Sequence, residues 1–197
     1  MSLSLSQRPT LIDRFVPKSQ VADAILILAG TVLISLAAQL TIPLKPVPIT
    51  GQTFAVLLVG AVLGLGRGVA ATALYVVAGA FGLPIFQAGA SGFAFGPTLG
   101  YLFGFIAAAA VTGFLAEKGF DKSVAGVAFT FAAGTAAIYV FGLAWLSIFL
   151  GAVGAANDLQ STLLAGFYPF LIGDALKAAL AAALLPTAWL LVGKLRK

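Results

Sequence analysis

The stretch 168–191, Y-P-F-L-I-G-D-A-L-K-A-A-L-A-A-A-L-L-P-T-A-W-L-L, is apolar enough and long enough to span a bilayer, yet it carries Asp174 and Lys177. An ionised side chain near mid-membrane costs about 2.5–3.5 kcal/mol on insertion scales. At a spacing of three, these two opposite charges share one helix face. They point either at each other or at something the protein holds. An ionisable group inside a membrane is functional by default. The alternative is an internal ion pair that locks this helix to its neighbours. Such a pair adds little stability, because desolvation offsets the attraction.

The rest of the chain calls for the same environment. Of its 197 residues, 61% are hydrophobic and 9% charged, against about 25% charged in soluble domains. So little polar surface cannot cover a soluble fold, so the chain reads as an all-α integral membrane protein. Cysteine and histidine are absent and methionine occurs once. That excludes disulfides, thiolate metal sites, His-held haem and His proton relays, and no metal or cofactor is expected. The net charge of +5 gathers at the chain ends and reads as topology rather than nucleic-acid binding.

Six transmembrane helices are predicted. Residues 1–20, with Arg8, Arg14 and Lys18, form a cytoplasmic segment rather than a signal peptide, with a short interfacial helix over 13–18. The first helix covers 21–40 and carries small residues, among them Gly30, Thr31, Ser35 and Ala38, that suit close helix packing or docking of another membrane protein. The second and third cover 51–65 and 68–81, short for a bilayer core, with Arg67 in the turn between them. The fourth covers 97–116 and opens on a proline. The fifth covers 123–151, and 152–162 is read as its outer connection. The sixth starts near Pro169, which puts Asp174 about 8 Å and Lys177 about 12 Å below its outer end at 1.5 Å per residue. A basic tail, 193–197, closes the chain. Both termini and both inner turns, the latter holding Arg67 and the 117–122 charge cluster, then lie on the cytoplasmic side. The membrane domain is 21–192.

Two connections on the outer side are unusual. In 41–50 three prolines forbid helix and enforce an extended, stiff chain. The stretch 82–98 is rich in glycine yet also carries Ile85, Phe86, Phe93 and Phe95. A loop of that kind can fold over a cavity, offering backbone N–H groups while aromatics exclude water. Both loops converge with the charged pair on one face, which points to capture of a small polar ligand from outside.

No phosphate-binding loop of the form G-x-x-x-x-G-K-S/T occurs, so the chain cannot hydrolyse ATP itself. Asp174 is the one carboxylate inside the membrane region, and no serine or threonine has a histidine partner, so an enzyme is poorly supported. A carrier for a small polar molecule, an intramembrane acid–base enzyme and a structural scaffold stand as competing readings. A pore is disfavoured, since no ring of polar residues recurs along several helices.

Four stretches resemble a known family: P-V-P-I-T-G-Q-T-F (46–54), G-x-x-G-L-P-I-F (79–86), G-P-T-L-G-Y-L-F-G-F (96–105) and G-D-A-L-K-A-A-L-A (173–181). They look like the signatures of BioY, the biotin-binding S component of energy-coupling-factor (ECF) transporters, and the resemblance covers about 21–191. It implies a six-helix plasma-membrane protein that takes biotin near the outer face. Its partners would be a transmembrane coupling subunit and two ABC-type ATPases, which alone use ATP. Carried over by motif, Asp174 and Lys177, Thr50 and Gln52, and Gly96, Thr98 and Tyr101 become biotin-binding candidates. Phe86, Phe93, Phe95 and Tyr101 are candidate apolar walls, and Gln87 and Ser91 candidate loop contacts. An aspartate can accept from the ureido N–H groups of biotin; a lysine can pair with its carboxylate or donate to its carbonyl. Gly30, Ser35 and Ala38 become candidates for the coupling-subunit interface.

Overall fold

A computed structural model describes residues 10–17, 19–92 and 95–195. Arg8, Lys18, Phe93, Arg196 and Lys197 lie outside the described residues. The six predicted helices are present as α1 (Gln20–Gln39), α2 (Gln52–Leu63), α3 (Leu65–Ala80), α4 (Leu99–Glu117), α5 (Val124–Ala152) and, after a further short helix α6 (Leu159–Gly166), α7 (Leu171–Leu195). By length and composition, α1, α4, α5 and the stretch Leu159–Lys194 are apolar and long enough to cross a membrane, whereas α2 and α3 are shorter apolar helices.

Local chemistry sets the helix starts. Ser19 caps α1 by accepting from Ala22 N at 3.1 Å, and Ser123 caps α5 by accepting from Gly126 N at 3.1 Å. The chain turns from α2 into α3 at Gly64, whose φ of 84° suits glycine. There α3 borrows its cap from another helix: Glu117 Oε1 accepts from Leu65 N at 2.8 Å. The segment 152–162, expected to be connection only, contains the start of α6, because Asp158 caps it and accepts from Ser161 N at 3.1 Å and Ser161 Oγ at 2.6 Å. Pro169 falls in a 3-10 turn, Tyr168–Phe170, so α7 starts two residues later than expected. The proline-rich 41–50 is free of helix as expected but not extended throughout: it bends at 45–47 and doubles back, so that its ends form a two-residue antiparallel ladder, β1 (Thr41–Ile42) with β2 (Ile49–Thr50), pairing Thr41 with Thr50.

Small residues bring the helices together. A Cβ on Gly104 of α4 would lie 2.9 Å from Ile138 Cα on α5, so glycine there sets how closely these helices approach. Tyr75, Phe131, Ile34, Ile138 and Leu146 are fully buried in the centre. The line of small residues on α1, Gly30, Ser35 and Ala38 among them, serves this same purpose, the close helix packing that was one of its two expected uses. Gly30 and Ala38 are buried. A Cβ on Gly30 would already meet the Ala71 Cβ at 3.0 Å. The neighbouring Thr31 hydroxyl donates to the Ala71 carbonyl of α3 at 2.9 Å, and Ser35 is half-buried with its hydroxyl donating to Thr31 O at 2.8 Å. The face that α1 leaves open is Val21, Ile25, Leu28, Val32 and Leu36.

The bundle has one charged end and one end built of unusual loops. At the charged end the N-terminal segment forms a short 3-10 turn, Ile12–Arg14, which overlaps the predicted 13–18 helix only at Asp13 and Arg14 and is strapped to α3. Arg67 meets Asp13 at 2.7 Å and Asp23 at 3.4 Å. Burial raises the Asp13 carboxyl, but hydrogen bonds from Arg67 and Thr10 more than offset it and hold it below the usual carboxylate range. Across the same end, Trp189 of α7 donates to Asp121 at 2.5 Å, while Lys122 lies 4.5 Å from the centroid of the Trp189 ring. Burial lifts the Asp121 carboxyl above its usual range, and the Trp189 bond offsets only part of that.

Candidate binding site

Opposite the charged end, α2, α3, α4, α5, α7 and the two unusual loops enclose a cavity of about 160 Å³, far more than one water needs. Asp174 lies in the first turn of α7, where the helix dipole favours an anion. Counted from Leu171, Asp174 and Lys177 lie about 5 Å and 9 Å along the helix, nearer its start than expected. The pair contact each other, Nζ to Oδ1 at 3.2 Å, with side chains 19% and 14% exposed. Lys177 also donates to Thr53 Oγ1 at 2.6 Å and to the Thr50 carbonyl at 3.2 Å. All three ammonium donors thus have acceptors. The other Asp174 oxygen accepts from the Tyr139 hydroxyl of α5 at 2.5 Å.

A second polar group adjoins the first. The Thr50 hydroxyl donates to Gln52 Oε1 at 2.9 Å, and the Gln52 amide donates to the Tyr75 hydroxyl. Thr50 joins the two groups, since its carbonyl serves Lys177 and its hydroxyl serves Gln52. Gln52 is buried as the first residue of α2, and the β1–β2 ladder fixes the approach of the chain to it. Leaving such groups unpaired in a buried place would cost about 1–3 kcal/mol each.

The remaining walls are mostly apolar. Phe86 packs edge-on to Tyr75 with ring centroids 5.3 Å apart. The loop 82–98 is tied to the bundle at three places. Gln39 of α1 donates to Phe86 O at 3.1 Å, Gly92 N donates to Gly79 O at 2.8 Å, and Trp145 Nε1 donates to Gly96 O at 2.8 Å. Tyr101 lies along Gly142 and donates to Gly166 O at 2.9 Å, joining α4 to α6.

The cavity is bordered by Asp174, Lys177, Thr50, Gln52, Gly96, Thr98, Tyr101, Phe86, Gln87 and Ser91, all singled out from the sequence. Phe93 lies outside the described residues. Phe95 does not border the cavity: it is 58% exposed and packs on Trp145 and Phe149, with centroids 5.2 Å and 5.7 Å away. Sequence reasoning did not single out Tyr139, Thr53, Thr135 and Phe170 as site residues, yet they border the cavity too. Thr53 stands beside Gln52 and Phe170 precedes α7, so both were within reach of a wider reading of those stretches. Tyr139 offered only a weak signal, a hydroxyl-bearing ring within an apolar helix.

Comparison with known proteins gives the family and the fold. The BioY family model matches residues 9–194. The biotin transporter BioY of Thermotoga maritima is 42% identical over 161 residues, which is 80% of this chain and 90% of that protein. The biotin transporter BioY of Rhizobium etli is 35% identical, over 78% of this chain and 83% of that protein. A crystal structure of the S-component for biotin from an ECF-type ABC transporter superposes with a TM-score of 0.71 at 25% identity, covering 88% of this chain and 93% of that one. The chain belongs to the BioY family.

Proposed function

We propose that this chain is the substrate-binding membrane subunit of a biotin uptake system, capturing biotin on the outer side and delivering it inward with an ECF module. One observation carries the reading: residues from all four family-like stretches, Thr50 and Gln52, Phe86, Gly96, Thr98 and Tyr101, and Asp174 with Lys177, border a single cavity. The chemistry of biotin matches that lining. Its ureido ring has two N–H donors and a carbonyl, its thioether bicycle is apolar, and its side chain ends in a carboxylate. Asp174 accepts from N–H groups, and Phe86 and Tyr101 flank apolar rings. Lys177 already meets three acceptors, so it reaches a ligand only by exchanging one of them. Gln52, Gln87, Thr98 and Ser91 supply further polar contacts.

The protein is not an enzyme, and the captured molecule leaves unchanged. A transmembrane coupling subunit and two ABC-type ATPases supply the driving force, and ATP is used by them alone. The chain spans the plasma membrane six times, with segments 1–20 and 193–197 on the cytoplasmic side and 21–192 in the membrane. The end bearing Asp13, Arg67, Asp121 and Lys122 then faces inward and the loop end faces outward, in accord with the bias of basic residues.

The test is calorimetric titration of biotin into the purified, detergent-solubilised protein, beside Asp174→Asn and Lys177→Met. Both changes are expected to weaken binding by tenfold or more, about 1.4 kcal/mol each. A folded wild type that binds no biotin would sink this reading. Tight binding untouched by either substitution would return the pair to a structural role.

A further inference from the structure

Two groups hold the Asp174 carboxylate in different ways. Lys177, on the same helix, reaches Oδ1 at 3.2 Å, while the Tyr139 hydroxyl, from α5, reaches Oδ2 at the shorter distance of 2.5 Å. The terminal torsion of an aspartate is broad, so a carboxylate held at one oxygen can turn. Contacts to both oxygens from two helices fix its plane. Tyr139 is itself fixed: it is 8% exposed, and its ring stands edge-on to Phe167 with centroids 4.8 Å apart. A carboxylate offers about four lone-pair sites. Tyr139 and Lys177 occupy one on each oxygen, and the fixed plane determines where the others point. Asp174 and Tyr139 both border the cavity, so a ligand N–H meets a carboxylate already oriented by Tyr139.

We propose that Tyr139 is a positioning residue of the binding site: by donating to Asp174 Oδ2 it orients the carboxylate and sets the preference for ligands that present an N–H donor. The inference rests on the biotin reading above. It assigns to α5 a part in selectivity, exerted through Asp174.

The experiment is a double-mutant cycle read by calorimetry on the full-length protein in detergent. Wild type, Tyr139→Phe, Asp174→Asn and the double variant are each titrated with biotin and with its two mono-N-methyl ureido derivatives. Phenylalanine keeps the ring against Phe167 and removes only the hydroxyl. In the wild-type background Tyr139→Phe is expected to weaken biotin binding by about tenfold, and in the Asp174→Asn background by less than about twofold. Discrimination between biotin and the N-methyl derivatives should narrow with it, which a role in packing alone would not produce. An equal loss in both backgrounds, or an unchanged affinity, overturns the proposal while leaving the biotin reading intact. A folded wild type that binds no biotin overturns both. Should Tyr139→Phe fail to fold, 4-aminophenylalanine placed at position 139 restores a donor on the same ring. It is then expected to bind within about threefold of wild type, and a folded protein that does not bind counts against the proposal.

Discussion

Phe86 lays its ring on the backbone of Gly79, across the place where any other residue would carry its Cβ. The same glycine accepts from Gly92 N at 2.8 Å through its carbonyl, so one position on α3 seats a wall of the cavity and anchors the loop above it. Gly79→Ala forces the Phe86 ring to move, and its place among the cavity lining leaves inward displacement as the ready course. Overpacking of this kind costs about 1–3 kcal/mol. Thermal unfolding in detergent should show the loss, and biotin titration should show weakened binding. An alanine variant with both properties unchanged would show that Phe86 has room elsewhere.

Tyr75 receives the amide N–H of Gln52 and is fully buried. Tyr75→Phe leaves that donor without its acceptor, a loss of about 1–3 kcal/mol. Because Gln52 also accepts from Thr50 at 2.9 Å, its reorientation should disturb the polar floor of the cavity. Lower thermal stability together with weaker biotin binding is expected. Loss of stability alone would confine Tyr75 to packing.

Lys177 and Asp174 are coupled, so that breaking the pair costs more than the pair itself contributes. Removing the ammonium by Lys177→Met leaves Asp174 with Tyr139 alone, and partial exposure of both side chains limits the cost to about 1–3 kcal/mol. Adding Asp174→Asn should recover part of that loss, since the uncompensated charge is then gone. The four-protein unfolding cycle measures this, and strictly additive effects would mean that the pair is not coupled.

The Asp13–Arg67 contact predicts acid sensitivity at the charged end. Asp13 has its carboxyl depressed in the fold, so its contribution is present above the unfolded carboxylate value of about 3.9 and is lost as pH falls through the lower folded value. Wild type should exceed Asp13→Asn in thermal stability at neutral pH, and the gap should close below about pH 3.9. A gap that persists into strong acid would exclude the charge as its source.

What the sequence determined by itself was the environment, the helix spans and the two charges that must be explained. Apolar runs of this length leave few other solutions, and an intramembrane Asp and Lys at a spacing of three cannot be incidental. The motif stretches also named most of the cavity lining. Only the tertiary structure decided which way the side chains face. In a chain whose lipid side and core side are both apolar, periodicity does not mark the inner face as it does in a soluble helix. Hence the structure alone shows that Gly30 and Ala38 turn inward and that Phe95 packs outside the cavity beside Trp145. The polar contacts that complete the site are long-range. Lys177 finds Thr53 across 124 positions, and Asp174 finds Tyr139 across 35. Such partners share no local pattern. They meet because α7 packs against α5 and α2, and because a buried hydroxyl or ammonium is costly until it finds an acceptor.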